Sequence, residues 1–65
     1  MMTAEKWQDR YASAFLRIAL KRGHAAEWAM SWAENWAEPA CWESGHEQPA
    51  KAAREDVLAA ERERA

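Results

Sequence analysis

Trp28, Trp32 and Trp36 stand four residues apart, and each is followed directly by an alanine: Ala29, Ala33 and Ala37. On a strand, Glu27 and Glu34 nearby would point to opposite faces; on a helix they fall together. At about 100° per residue the three indoles lie within roughly 80° of one another. The alanines, with Ala26 and Met30, fill the next sector, and Glu27, Glu34, Glu38, Ser31 and Asn35 occupy the remainder. A helix with that division buries small and very large side chains together. The rest of the chain agrees. Alanine supplies 16 of the 65 residues and tryptophan 5, whereas Val, Ile, Leu and Phe together number 6. The core must therefore set a few aromatic rings against alanine, the strongest helix former. Among the β-branched residues there are only Thr3, Ile18 and Val57, so strands are not expected.

Thr3 is a candidate N-cap for a first helix over about 3–22, which Gly23 is placed to end. Lys21 and Arg22 in its last turn suit the negative end of the helix dipole. Trp7, Ile18, Tyr11 and Phe15 form an aromatic stripe about 80° wide. Leu16 and Leu20 lie beyond its far edge, and Lys6, Arg10, Arg17 and Lys21 make a basic edge. The second helix is expected over about 25–38, because Pro39 has no N–H and would clash with the preceding turn. One continuous helix through Gly23 is the alternative, at a cost of about 1 kcal/mol. Residues 39–48 then read as a loop carrying Cys41 and Trp42, with Ser44-Gly45 as a turn. Pro49 fits the first position of a weaker third helix over about 49–64. Its residues 61–65 contain no large apolar side chain and are expected to fray. The expected architecture is all-α: one small domain over 1–65, a two- to three-helix bundle whose first two helices form an antiparallel hairpin. The stripe Trp7, Tyr11, Phe15, Ile18 is expected to face Trp28, Trp32 and Trp36.

A chain of this length buries only about 60% of its unfolded surface, so a partner or self-association would help it. It is too short for the common enzyme scaffolds. The longest uncharged runs, such as Tyr11 to Leu16, span six residues, against the roughly 20 that a membrane helix needs. No basic stretch leads into an apolar one, so no secretory signal is expected. The single cysteine, Cys41, suits a reducing compartment, and a cytoplasmic location is expected. A structural zinc site wants four ligands with paired cysteines; Cys41, His46 and His24 do not supply them, so no metal is expected. A Cys–His nucleophile would need a third, orienting group, and no phosphate-binding glycine loop is present. No catalytic residues and no cofactor are expected.

Charge is segregated along the chain. Residues 1–23 hold five cations and two anions, residues 24–48 hold five Glu and no Lys or Arg, and residues 49–65 are balanced. One reading is that the basic edge of the first helix pairs with the acidic edge of the second, which contributes about 0–1 kcal/mol per exposed pair. The sharper reading is a non-catalytic protein-binding module whose acidic segment covers a basic, nucleic-acid-binding surface on a larger partner. Its contact candidates are Glu27, Glu34, Glu38, Glu43, Trp42 and Trp36, since exposed Trp is favoured at interface hot spots. In size and charge pattern, though in no motif, the chain resembles small phage-encoded inhibitors, including anti-CRISPR proteins. The alternative is a homodimeric structural protein that buries its excess Trp and Ala surface on its own copy. A third reading is a small DNA-binding regulator acting through Lys6, Arg10, Arg17 and Lys21. Direct nucleic-acid binding is not expected of the chain, since phosphates are repelled by the glutamates of the second helix and only the basic edge of the first remains. Its acidic polar face also argues against a membrane-surface helix.

Overall fold

The structure, a computed structural model, describes residues 2–64. Helix α1 runs Ala4–Lys21 and begins where the sequence places a cap. Thr3 is extended, and its hydroxyl accepts the Lys6 N–H at 3.2 Å. The helix stops at a glycine with φ +89°, a value that a side chain would make costly. The Gly23 N–H donates to the Leu20 carbonyl and the His24 N–H to the Ala19 carbonyl, both at 3.0 Å. That pair of bonds satisfies carbonyls that a helix end would leave open.

Helix α2 spans Ala26–Ser44, six residues past the stop expected at Glu38. Pro39 lies inside it. The cost is real, because the Asn35 carbonyl loses its N–H partner. Both Asn35 and Pro39 are exposed, so the break lies on the solvent side of the helix and not in the core. Beyond the proline, Ala40 is buried and Cys41 is half-buried, its Sγ 4.0 Å from the Ala4 carbonyl oxygen. The extra turn continues because it packs on α1. The expected ten-residue loop shrinks accordingly to Gly45–Gln48, and Trp42 belongs to a helix. Gly45 closes α2 so tightly that a Cβ there would collide with the Cys41 carbonyl oxygen.

Helix α3 spans Pro49–Arg64, with proline in its first position as expected. The Gln48 carbonyl accepts the N–H groups of Lys51 and Ala52. Helical backbone extends through Arg64, and Glu61, in the segment expected to fray, is held by Arg22 and His24. Ala65 lies outside the described residues.

The three helices form a small all-α bundle measuring 34 × 18 × 17 Å. Helix α1 is its centre. It packs on both α2 and α3, which touch each other only marginally. α2 runs antiparallel to α1 and α3 returns parallel to it. Bonds from Trp7 to Glu47, from Tyr11 to Asp56 and from Arg22 to Glu61 tie successive levels of α1 to the segment entering α3 and to α3 itself. The core consists of Trp7, Tyr11 and Phe15 from α1, Val57 from α3, and alanines from all three helices.

The two aromatic stripes do not face each other along their length. They meet at Phe15 and Trp28, with ring centroids 6.3 Å apart. What α2 buries is its alanine row, Ala29, Ala33, Ala37 and Ala40. Alanine lets two helix axes approach closely; the indoles need more room and fan out along one edge of that row. The rings still form a continuous series. Trp7 stacks on Tyr11 at 5.5 Å, Tyr11 meets Phe15 at 5.9 Å, and Trp28, Trp32 and Trp36 follow at 5.9 and 5.1 Å.

Tyr11 is fully buried apart from its hydroxyl bond to Asp56 Oδ2 at 2.5 Å. Burial, and then the bond to that carboxylate, raise its pKa above the usual tyrosine value. It thus remains a donor throughout the neutral range. Tyr11→Phe leaves the half-buried Asp56 without this bond and is expected to cost about 1–3 kcal/mol in urea denaturation. Pro39→Ala restores a donor to the Asn35 carbonyl. After allowing for the freer unfolded chain, it is expected to raise stability by about 2 kcal/mol in the same assay.

Candidate partner-binding surface

Because α2 turns its alanines inward, its opposite face is fixed by helical geometry. Glu27, Glu34 and Glu38 lie in one row along it, all exposed. Trp42, four residues beyond Glu38, sits roughly 180° around the helix from the buried alanine row. Its exposure is 84%, the highest of any large apolar side chain described. The continuation of α2 through Pro39 is what places this indole beside the glutamate row rather than in a loop. Glu43 and Trp36 share the other edge, seven residues apart; Glu43 is exposed and Trp36 is 38% exposed. Glu27, Glu34, Glu38 and Trp42 thus share the outer side of α2, whereas Glu43 and Trp36 lie on its tryptophan edge, on the far side of Trp42 from the glutamate row.

The Trp edge is supported from behind. His24 stacks on Trp28 at 4.2 Å, and Trp28 and Trp32, both half-buried, lead outward to Trp36. Trp36 is thus the solvent end of a ring series rooted in the core.

The expected pairing of the basic edge of α1 with the acidic edge of α2 does not form. Among the described residues, the ion pairs within 4.0 Å join Arg22 and His24 to Glu61. Helical position explains this. The cationic side of α1 is turned away from α2, towards α3 and solvent. The seam between α1 and α3 opens into two recesses. One, of about 650 Å³, is lined by Arg10, Ser13, Ala14, Arg17 and Pro49, among others. The second, of about 470 Å³, is lined by Ile18, Lys21, Arg22, Arg54 and Leu58. The contribution of Arg54 is not visible in the helix 1 pattern; the four-residue spacing of Ala50, Arg54 and Leu58 would have marked that face of α3. Across Ser13, which lines both, Ala12, Leu16, Met30, Ala33 and Glu34 line a shallow, largely apolar recess of about 340 Å³ between α1 and α2.

Among the described residues, no group of three or more His, Cys, Asp or Glu is placed to hold a metal ion, and no helix is long and apolar enough to cross a membrane. Compared with protein-family models, curated proteins and solved structures, the chain shows no match in any of the three.

At the end of the bundle where α1 turns into α2, Arg22 Nε and Nη2 donate to the two Glu61 oxygens at 2.7 Å, and His24 Nε2 lies 2.6 Å from Oε2. The Arg22 bonds, and then the His24 bond, lower the Glu61 pKa from 4.5 to about 2. A carboxylate depressed in this way stabilises the fold fully above its unfolded pKa and loses that contribution as pH falls through its folded value. Wild type is therefore expected to exceed Glu61→Gln in stability at neutral pH. The difference should shrink between about pH 4.5 and pH 2, as read by chemical denaturation across that range.

Proposed function

We propose that the chain is a non-catalytic protein-binding module that acts through the outer face of α2. Its partner is a larger protein with a basic surface of the kind that binds nucleic acid. On this reading it is a small inhibitor of the phage type, comparable to anti-CRISPR proteins, working in the cytoplasm, a setting that suits its one free cysteine.

The observation that carries the proposal is the placement of charge on α2. Glu34 and Glu38 are a like-charge pair at i, i+4, which costs a few tenths of a kcal/mol. Glu43 stands in the last turn, which holds no basic residue, against the negative end of the dipole. None of the four glutamates has an ion-pair partner among the described residues. Glu27, in the first turn, is favoured by the dipole, but the fold gains nothing locally from Glu34, Glu38 or Glu43, and such conflicts between local preference and structure mark functional surfaces. An indole exposed beside an acidic row has the character of an interface anchor with a polar surround.

A second reading, self-association, draws on Leu20 and Met30, about half exposed near the apolar recess between α1 and α2. The two readings separate in one set of samples. In a pull-down from nuclease-treated lysate, wild type is expected to retain a basic nucleic-acid-handling protein in stoichiometric amount. Glu34→Lys/Glu38→Lys and Trp42→Ala are each expected to lose it while the helical circular dichroism persists. Retention by all three proteins would defeat the acidic-face reading. A concentration-dependent mass in sedimentation equilibrium, abolished by Met30→Glu, would favour the dimer.

A further inference from the structure

The seam between α1 and α3 is a surface of the opposite sign, independent of the α2 face. Arg10 and Arg17 line the first recess from α1, and in the second Arg54 of α3 faces Lys21 of α1. All four are exposed, and none has an ion-pair partner among the described residues. No carboxylate lines either recess. The base of the seam is apolar: Ala14 and Pro49 are buried, and Ile18 and Leu58 are half-buried. Ser13 and Gln48 add uncharged hydrogen-bonding groups.

We infer that this seam is a binding groove for the phosphodiester backbone of single-stranded nucleic acid. Unpaired cations along one seam repel one another, and a polyanion relieves that repulsion while releasing its own counterions. Three of the four are arginines, whose planar fork matches two phosphate oxygens at once. From Arg10 to Lys21 the cations of the two recesses span about 16 Å along α1 at about 1.5 Å per residue, enough for several phosphates of one strand. Its form decides among polyanions. Cations of α1 line both recesses and Arg54 opposes them at the second, so one extended chain can lie along the seam, whereas a bilayer is a plane and binding it calls for an apolar face that inserts. No aromatic ring lines the recesses, so bases are not stacked there; the contacts are with phosphates, which carry no sequence information. The expectation against nucleic acid turned on the glutamates of α2, whereas the seam is built by the other two helices. It adjoins the α1–α2 recess at Ser13, which lines both, and the two faces are told apart by separate substitutions.

The test is fluorescence anisotropy of a labelled oligothymidylate titrated with the full chain at low ionic strength, followed by a salt series. Binding is expected, with log affinity falling against log salt at a slope of about −2 to −3, as three or four phosphate contacts on a single strand require. Arg17→Glu/Arg54→Glu is expected to weaken it at least tenfold with unchanged circular dichroism, whereas Glu34→Lys/Glu38→Lys, which disables the α2 face, leaves it intact or tightens it. No binding at low salt would overturn the inference. So would undiminished binding by the double arginine variant, equal competition by polyglutamate at matched charge, or tighter binding of duplex of the same length.

Discussion

The structure depends on a pairing of extremes in side-chain size. α1 must be covered on two sides, and the chain has almost no aliphatic residues with which to do it. It supplies large rings from α1 and small alanines from the helices that flank it. Ala29, Ala33, Ala37 and Ala40 bring one helix close, and Ala52, Ala53 and Ala60 bring the other. Trp7, Tyr11 and Phe15 then fill the space that alanine leaves. α2 and α3 consequently need little contact with each other, since both obtain their burial from α1.

Where a local rule has a single physical solution, the sequence was legible. Thr3 accepts the bond its position calls for, Gly23 takes the positive φ that ends a helix, and Pro49 opens one. The segregation of α2 into indole, alanine and glutamate sectors also carried over into space. Pro39 misled because a helix-breaking cost is local, while the burial of Ala40 that outweighs it is tertiary. The expected meeting of the stripes failed for a related reason. Periodicity shows which residues share a face, but not whether the bulky or the small half of a broad apolar arc enters the seam. Tyr11–Asp56 and Arg22–Glu61 join residues 45 and 39 positions apart, and no spacing rule reaches that far.

The candidate surface was half legible in the same sense. Exposed glutamates on a helix follow directly from the pattern. That Trp42 joins them depends on α2 surviving its proline. The basic seam was hidden further, since it is assembled from two helices distant in sequence, and only the α1 half has a recognisable periodic edge.

The polar ties described above run from α1 to α3 and to the segment leading into it. Trp7 donates to the Glu47 carbonyl at 2.9 Å, Tyr11 to Asp56, and Arg22 to Glu61. Those bonds fix axial register as teeth fix a key. α2 is seated by its row of methyl groups, by Trp28 against Phe15, and by Cys41 Sγ near the Ala4 carbonyl. The molecule thus joins a keyed frame to a helix held largely by shape, and that helix displays Trp42 and the glutamates. Whatever loosens the methyl row acts first on that display and leaves the alignment of the frame in place.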